Sequence, residues 1–578
     1  RDVLGSRGLG DVYKRQVYKN MNKMRYNILL AGCLFLGMGV TSCADSFLDV
    51  ESKTESTTGT FYKTEKDAYR ALIGCYDGWR QTSSAGSIGF YEGSEIMGAE
   101  CFAAGGNGDG RGLQAVDRFD ISQSPADLNL YEGDWKNYYA GVYRCNELIS
   151  REEQIEWAAT NSKRSVYMGE CHAIRALLYF DMVRLWGNIP LFTTPVNENR
   201  EPSDAKDVFA VIFEDLKYAA ENIPADAYPK ANAAMNDGHI TKYAAEALLA
   251  RAYLYYTGYY GSEPEGVTKA DALAAVEDVI ASKEFSLVSE FKNLWPAASA
   301  GVAEVGDTKT LYGTYAGDGN SETILAMKFT SSQDYNGNND GNRWQVMVGM
   351  RGLNAAPYGK GWGTMSVDPA FVSEFKSGDT RRSASIIDWE AEGITSLAAF
   401  GDTYRDQREY TGYTIKKYSP LCYADGTSAS KEDGSGDFQL SNHQDYVIMR
   451  YADVLLMAAE LGSPKAQEYF DEVRKRAYTS EGTLSANYSQ LPVTKENIMQ
   501  ERRLEFAFES INYWDLLRQG VDYAASKLAL SEKQVYSGGI VDFITISADR
   551  IRTTKGLSQI PYNQITLSNG TLVQNAGW

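Results

Sequence analysis

Helical periodicity recurs along much of the chain, and this repetition constrains the fold more than any other feature. In "DAYRALIGCYDGWR", Asp67 to Arg80, apolar side chains recur at steps of three and four residues, the spacing that places them on one face of a helix. The same spacing returns in "WKNYYAGVYRCNELI", "MGECHAIRALLYFDMVRLW", "DVFAVIFEDLKYAAENI", "TKYAAEALLARAYLYYTGYY" and "ADALAAVEDVIAS". Turn-forming stretches such as "GNIP" separate these segments. Paired helices on short connectors predict a mainly α fold, a helical-pair solenoid of tetratricopeptide type.

The composition changes over residues 285–440, where Gly, Asn, Ser and Asp dominate and short strand-like runs such as "ETILAMKF" appear. This texture predicts a loop-rich, partly β insertion between an N-terminal helical-repeat part, residues 65–284, and a C-terminal helical part, residues 441–578. We expect residues 43–578 to form one compact unit. The stretch "NGNNDG" resembles half of a calcium-binding loop, but Met347 stands where the bidentate glutamate is needed, so we predict a turn there.

The start of the chain has the pattern of an export signal. We predict that residues 1–20 are a non-native leader, since they open on Arg and read like adaptor sequence, and that residues 21–42 are a signal peptide. Its apolar run, "ILLAGCLFLGMGV", is too short to span a bilayer. The stretch "VTSC" that follows resembles a bacterial lipobox, so we expect acylation of Cys43 and a polar tether over residues 43–64.

Charge and residue spacing exclude several classes of function. The chain carries a net charge of −19, which disfavours nucleic acid as a partner because phosphate binding needs clustered Lys and Arg. The three histidines lie far apart and show no metal-ligand spacing, and we find no common hydrolase or phosphate-binding motif. The cysteines beyond Cys43 are odd in number and scattered, so they predict no disulfide framework. We therefore expect no catalytic residues, no metal and no cofactor.

Four sequence blocks resemble the SusD/RagB family of surface lipoproteins. They occur in family order and read "ECHAIRALLYFDMVRLWGNIPLFTTP" from Glu170, "DYVIMRYADVLLMAAE" from Asp445, "ERRLEFAFESINYWDLLR" from Glu501, and the closing pair "IPYNQI" and "QNAGW". The resemblance covers nearly the whole mature chain. It implies a SusD-like fold, an outer-membrane, cell-surface location through a lipid anchor at Cys43, and a SusC-like TonB-dependent transporter as partner.

Charged residues stand at otherwise apolar positions within these blocks. Buried arginines and carboxylates persist only when they are paired and hydrogen-bonded, so we expect ion pairs between helices rather than a catalytic pair. The residues concerned are Arg450, Glu460, Arg474, Arg476, Glu501, Arg502, Glu505 and Asp515.

Ligand-binding residues are expected in two loops, residues 90–111 and 335–362. A sugar site needs an aromatic platform flanked by groups that donate and accept hydrogen bonds, and both loops mix these residue types. The candidates are Phe102, Asn107, Asp109, Arg111, Tyr335, Asn338, Arg343, Trp344, Tyr358 and Trp362. Trp344 and Trp362 stand among Gly and Asn, whereas Trp79, Trp186 and Trp514 lie on amphipathic helices and are expected in the core. The loops carry no family motif, so the resemblance assigns no binding residue.

Together these patterns predict a non-catalytic lipoprotein that captures oligo- or polysaccharide and acts as a lid on its transporter. Two alternatives remain. A peptide-binding capture protein would recognise backbone at strand edges rather than stack sugars on aromatic rings. A helical-repeat scaffold would bind no small ligand, and the insertion would then have no purpose.

Overall fold

Consecutive helices pack side by side through the N-terminal part, as the periodicity predicts. The structure is a computed structural model that describes residues 61–83, 88–106, 110–228, 238–302, 311–332, 340–395, 407–431 and 434–578. The long helices of this part are α1 (Glu65–Arg80), α4 (Glu132–Ser150), α5 (Arg164–Trp186), α6 (Ala205–Asn222), α7 (Lys242–Tyr260) and α8 (Lys269–Ser282), with the short α2 (Phe90–Ile96) and α3 (Arg111–Asp117) between α1 and α4. Each long helix contacts the next along the chain. The predicted helical pairs are confirmed.

Side-chain caps determine where several of these helices begin. Thr64, Asp204, Thr241 and Thr268 each accept a hydrogen bond from a backbone N–H two or three residues on, which satisfies a donor that the helix itself leaves unpaired. Helix α5 is buried along most of its length because neighbouring helices cover it. Its sequence is accordingly apolar on more than one face.

Glycines allow α1 and α4 to approach closely. A Cβ added to Gly78 would lie 2.9 Å from the Cα of Gly141, nearer than side-chain atoms tolerate. The backbones of the two helices can therefore meet at this point only because both residues lack a side chain.

The insertion consists of short elements between the two helical parts. They are α9 (Pro296–Ser299), α10 (Arg343–Val348), α11 (Pro369–Val372), α12 (Arg381–Ser385), β3 (Ala300–Val302), β4 (Leu311–Gly313), β5 (Thr323–Met327), β6 (Met350–Arg351), β7 (Lys360–Gly361), β8 (Met365–Val367), β9 (Ile386–Asp388), β10 (Gln407–Arg408) and β11 (Tyr413–Ile415). Two antiparallel ladders connect it to the rest of the molecule. Strand β8 pairs with β1 (Cys101–Ala103), and β10 pairs with β2 (Gly105–Gly106).

The C-terminal part begins with β12 (Tyr446–Arg450), which pairs antiparallel with β5 of the insertion. Its further elements are α13 (Tyr451–Glu460), α14 (Ala466–Ala477), α15 (Lys495–Glu505), α16 (Asn512–Leu517), α17 (Val521–Leu528), α18 (Ala548–Thr554), α19 (Tyr562–Leu567), β13 (Thr479–Ser480), β14 (Thr483–Leu484), β15 (Leu530–Ser537) and β16 (Ile540–Ile546). Helix α8 packs against α13, so the solenoid continues into this part. Residues Tyr62–Trp578 form one compact unit; the domain boundaries drawn from the sequence stay predictions.

Arginines and carboxylates of the C-terminal part form a buried network with residues of the insertion. The ion pairs expected from the sequence are confirmed. Arg450 contacts Glu322, Glu505 and Glu509 at 2.6 to 2.9 Å. Every other charge predicted to pair does so: Glu460 with Arg518, Arg474 with Glu501, Arg476 with Glu322 and Glu505, and Arg502 with Asp453 and Asp515. Sequence reasoning missed Arg381, which lies fully buried between Asp379, Glu501 and Glu505. Glu322 and Arg381 both come from the insertion, so the network joins it to the C-terminal helices.

The export features lie outside the described residues. These are the leader, the signal peptide, Cys43 and nearly all of the tether. Within the described ranges, no helix is both long enough and apolar enough to cross a membrane. The five cysteines in these ranges are all buried and free.

Candidate ligand-binding site

A groove runs along α1 where this helix faces the start of the insertion; we call it the α1 groove. Its volume is about 360 Å³, within the range of small-molecule sites. It is lined by Tyr69, Ile73, Tyr76, Asp77, Trp79, Arg80, Gly238, His239, residues 326–330 and Asp340. The groove therefore combines one face of a long helix, the end of β5 and a residue of the second predicted loop.

Aromatic rings form one wall of the α1 groove. Tyr69 is 39% exposed, and its ring lies 6.3 Å from that of His239. The His239 ring in turn meets the ring of Tyr76 edge-on, with centroids 5.5 Å apart. Trp79 closes this wall from the core side, where it is buried as predicted. The exposed face of Tyr69 is the part of the wall that a sugar ring could cover.

A buried carboxylate holds the aromatic wall in place. Glu170 of α5 accepts hydrogen bonds from the hydroxyls of Tyr76 and Tyr228, and its Oε2 lies 2.7 Å from Nδ1 of His239. Burial, and then the charge of Glu170, raise the pKa of Tyr76 far above its ordinary value, so the phenol remains a proton donor. The wall is rigid before any ligand arrives, which lowers the entropic cost of binding.

Charged groups form the opposite rim. Arg80 contacts Asp77 and Asp340 at 2.7 Å each, and Lys328 pairs with the buried Asp445. Burial raises the pKa of Asp77, but hydrogen bonds from Arg144 and Arg80 outweigh it and hold the pKa below its ordinary value. Asp77 is therefore an acceptor at neutral pH and unsuited to donate a proton as a general acid.

A narrow cleft of about 30 Å³ adjoins the groove, and we call it the Trp344 cleft. The two depressions share Phe329. Its lining includes Glu92, Arg343, Trp344 and Tyr446. Trp344 is only 6% exposed, and its ring packs edge-on against Tyr446 at 5.7 Å. Within the described part of the chain, Nε1 of Trp344 and Oε1 of Glu92 have no hydrogen-bond partner. The cleft thus presents one donor and one acceptor that a ligand hydroxyl could satisfy.

Glu92 is protonated in the folded protein at neutral pH. Burial raises its pKa to about 8, and hydrogen bonding from Thr364 only partly offsets this. Glu92 belongs to α2 and lines the cleft rather than the groove. A neutral carboxyl both donates and accepts, which suits hydroxyl ligands.

Two of the predicted residues line the cleft, and a third lies beside one of them. Arg343 and Trp344 open helix α10 and line it, and the guanidinium of Arg343 lies 4.9 Å from the ring centroid of Trp362. Trp362 is half-buried and its backbone N–H donates to Val346. The structure therefore brings together both tryptophans that the sequence singled out, although Trp344 offers its indole N–H rather than an open ring face.

Other predicted residues lie elsewhere. Phe102 is 2% exposed because β1 pairs with β8 and turns its ring into the core, so it offers no platform; the segment 90–106 is a helix and two strands rather than a loop. Tyr358 is buried in a second, smaller core cluster with Trp389. Arg111 is exposed at the start of α3, and its Nη1 donates to Gln114 at 3.0 Å; it lines neither depression. The remaining candidates, Asn107, Asp109, Tyr335 and Asn338, fall outside the described residues.

Sequence reasoning missed the α1 residues of the groove. The helical period places Tyr69, Ile73 and Tyr76 on one face of α1 and does not mark them as ligand-binding residues. The sequence also contains a signal for the groove, because α1 carries two apolar stripes. Ala68, Leu72, Cys75 and Trp79 face the core, while Tyr69 and Ile73 form an adjacent exposed pair one turn apart. A stripe wider than one packed face indicates a second partner or a ligand.

A larger groove, about 470 Å³ in volume, lies between α4 and the segment that follows α5. It contains no residue of either predicted loop, whereas the α1 groove includes Asp340 and shares Phe329 with the cleft that Arg343 and Trp344 line. We therefore place the candidate site at the α1 groove and the Trp344 cleft, where the insertion meets the helical repeats.

Comparison with known proteins agrees with this architecture. Residues 321–578 match the profile of the SusD family, and residues 115–254 match a profile described as starch-binding, associating with outer membrane. SusD-like protein P38 of Formosa agariphila is 24% identical over 527 residues, which cover 85% of this chain and 91% of that protein. A SusD-like protein of Bacteroides ovatus is also 24% identical, over 82% of this chain and 79% of its own length.

Solved structures show the same fold. Surface glycan-binding protein A from Bacteroides fluxus superposes with a TM-score of 0.71 at 23% identity, covering 89% of this chain and 100% of that one. Surface glycan-binding protein A from Bacteroides thetaiotaomicron, in complex with laminarihexaose, gives a TM-score of 0.68 at 22% identity with the same coverage.

Proposed function

Because the chain belongs to the SusD family, we propose that it is a lipid-anchored, non-catalytic glycan-capture protein of the cell surface that delivers oligosaccharide to a SusC-like TonB-dependent transporter. The α1 groove is the observation that carries this proposal. It presents a fixed aromatic face beside charged acceptors and donors, the combination that sugars require.

The groove suits binding better than hydrolysis. Glycosidases use one protonated and one ionised carboxyl on opposite sides of the scissile bond. The two carboxylates of the rim, Asp77 and Asp340, both contact the same arginine, and the pKa of Asp77 is lowered. Glu92 is protonated, but it lies in the narrow cleft, where a pyranose ring does not fit.

A laminarin oligosaccharide is the first ligand to test. The structural neighbours include a protein named for laminarin binding and one solved with laminarihexaose. The chain has a strongly acidic balance, and the groove rim carries both signs of charge, which gives polyanions no advantage. Delivery to a transporter and anchorage at Cys43 rest on the family and on the lipobox.

The groove is tested by calorimetric titration of protein beginning at Ala44, which keeps the whole unit Tyr62–Trp578. Neutral and acidic oligosaccharides and a peptide panel are titrated, and long incubations are checked for cleavage. We expect binding of a neutral glycan without product. Tyr69→Ala should weaken it about tenfold or more, because the variant loses an exposed stacking face.

A matched control separates the groove from a general surface effect. Tyr523 is 38% exposed on α17 and lines neither depression, so Tyr523→Ala should bind as wild type. Equal affinity of the Tyr69 and Tyr523 variants would move the site away from the groove. Binding of peptides alone would replace the glycan proposal with peptide capture.

The cleft is tested separately. Trp344→Phe removes the indole N–H but keeps most of the packing against Tyr446, and Trp362→Ala removes the ring beside Arg343. Unchanged affinity in both variants would remove the cleft from the site and leave the groove alone.

A further inference from the structure

Three cysteines from three different helices meet at one point of the core. Cys75 of α1, Cys145 of α4 and Cys171 of α5 are fully buried, and their sulfur atoms lie within 4.8 Å of one another. The sulfurs of Cys75 and Cys171 are 4.0 Å apart. We call this the three-cysteine cluster. It holds three of the five cysteines that the structure describes and takes no part in the candidate ligand site.

The helix packing produces this convergence. Cys75 stands one turn before Gly78, and Cys145 stands one turn after Gly141, so the close approach of the two glycines draws α1 and α4 together beside both thiols. Cys171 enters from α5, and its Sγ lies 3.5 Å from the backbone carbonyl of Cys145. The positions are fixed by three rigid helices rather than by loops.

The spacing matches a three-coordinate metal. A metal bound to three thiolates at about 2.3 Å in a plane places the sulfurs about 4.0 Å apart. The Cys75 to Cys171 distance already has this value, and the third sulfur needs a shift of less than 1 Å. Within the described part of the chain, the cluster contains no fourth His, Cys, Asp or Glu ligand. That donor set disfavours tetrahedral zinc and favours ions that accept three soft ligands.

One cation lies beside the cluster. Arg175 stands one turn after Cys171 on α5, and its Nη1 donates to Oδ1 of Asn146, the residue next to Cys145. Arg175 itself is held by Asp215 and Asn146 at 2.8 Å. A metal that binds here would displace the thiol protons of all three cysteines, as thiolate ligation requires.

We propose that the three-cysteine cluster is a three-coordinate thiolate site for a soft d¹⁰ cation, of the class of copper(I) and cadmium(II). Soft sulfur ligands select such ions over magnesium or calcium. The site would connect α1, which carries the sugar groove, to α4 and α5, so that a bound ion would stabilise the folded state by mass action.

The test uses reduced protein beginning at Ala44, with copper(I) or cadmium(II) as the only added ion, under anaerobic conditions. Because the cluster is buried, metal is supplied to folded protein and, separately, during refolding from urea. We expect one ion per chain by at least one route, ultraviolet thiolate-to-metal charge-transfer absorption, and three sulfur neighbours at about 2.3 Å for copper(I), longer for cadmium(II), by X-ray absorption.

Single variants assign the ligands. Cys75→Ser, Cys145→Ser and Cys171→Ser should each lose the tightly bound ion and the absorption band. Cys101→Ser, a buried cysteine outside the cluster, should keep both. Alanine variants replace any serine variant whose circular dichroism shows a folding defect.

Three results would overturn the proposal. They are failure of the wild type to hold a stoichiometric ion by either route, equal loss in the Cys101 variant, and oxygen or nitrogen ligands in the absorption spectrum. If every cluster variant misfolds, the X-ray absorption spectrum of the wild-type protein still shows whether three sulfur atoms bind the ion.

Discussion

Glu505 and Glu92 are both buried carboxyl groups, yet their surroundings drive their pKa values in opposite directions. Glu505 lies among Arg381, Arg450 and Arg476 in the network that joins the insertion to the C-terminal helices. Burial raises its pKa, but these three charges outweigh burial and lower it to about 2. Glu92 lines the Trp344 cleft, and there burial has the largest effect and raises its pKa to about 8.

The same contrast extends to their neighbours. Burial raises the pKa of Glu95 and of Asp117 to about 7, and both belong to the segment that runs from α2 to α3. Burial, followed by the charge of Glu95, raises the pKa of Glu100. The C-terminal network thus joins its carboxylates to arginines, while burial raises the pKa values of the acids in the segment from α2 to α3.

Breaking the network should have the largest effect. Arg450→Met leaves three buried carboxylates without one of their cations, and we expect the free energy of unfolding to fall by about 3 to 5 kcal/mol. Urea unfolding measures this change. The control is Arg382→Met, which removes an exposed pair with Asp388 and should cost less than about 1 kcal/mol. Similar losses in the two variants would show that the buried network has no special role.

Replacing Glu505 or Glu92 by glutamine should change the stability of the protein in different ways as the pH varies. At pH 7, Glu505→Gln should destabilise the protein by about 3 kcal/mol, because three arginines lose a charged partner. Glu92→Gln should be nearly neutral at pH 5, where the folded protein already holds a proton on Glu92. Its stability relative to wild type should then rise by up to about 1.4 kcal/mol per pH unit between about pH 5 and 8. Urea unfolding of both variants at pH 5, 7 and 8.5 tests this, and a Glu92 variant with no pH dependence would contradict the raised pKa.

The stability of the wild-type protein should fall both at low pH and at high pH. We expect this to be the smallest of the three effects. Glu505 in the network has a lowered pKa, so its contribution is present above the unfolded pKa of about 4.5 and is lost as the pH falls toward 2. The acids beside the site have raised pKa values, so their contribution is present below that value and is lost as the pH rises toward 8. Thermal melts from pH 2 to 9 should therefore show maximal stability in mildly acidic solution. A maximum above pH 8 would contradict this account.

Much of the fold could be predicted because it depends on local periodicity. Each helical segment singled out in the N-terminal part is a helix, and the strand-like run "ETILAMKF" contains β5. The partners of Arg450 could not be predicted, since Glu322 lies far away along the chain in the loop-rich insertion. Expecting pairs was possible from residue types alone, but choosing them requires the three-dimensional fold.

The candidate site was only partly predictable for a related reason. Trp344 and Trp362 stand out among glycines and asparagines, and the structure places both beside Arg343. Phe102 is also aromatic, but it belongs to strand β1, whose partner β8 is remote in sequence. Tyr69 was hidden by its helical spacing, because exposure on one side of α1 depends on which neighbours cover the other side.

The most direct measurement is a crystal structure of the protein with the oligosaccharide that titration selects. The account predicts an intact chain in the α1 groove, with a sugar ring stacked about 4 Å above Tyr69 and hydroxyls within hydrogen-bond distance of Asp77, Arg80 or Asp340. A sugar bound in the groove between α4 and Arg200, or a cleaved product at either place, would contradict it.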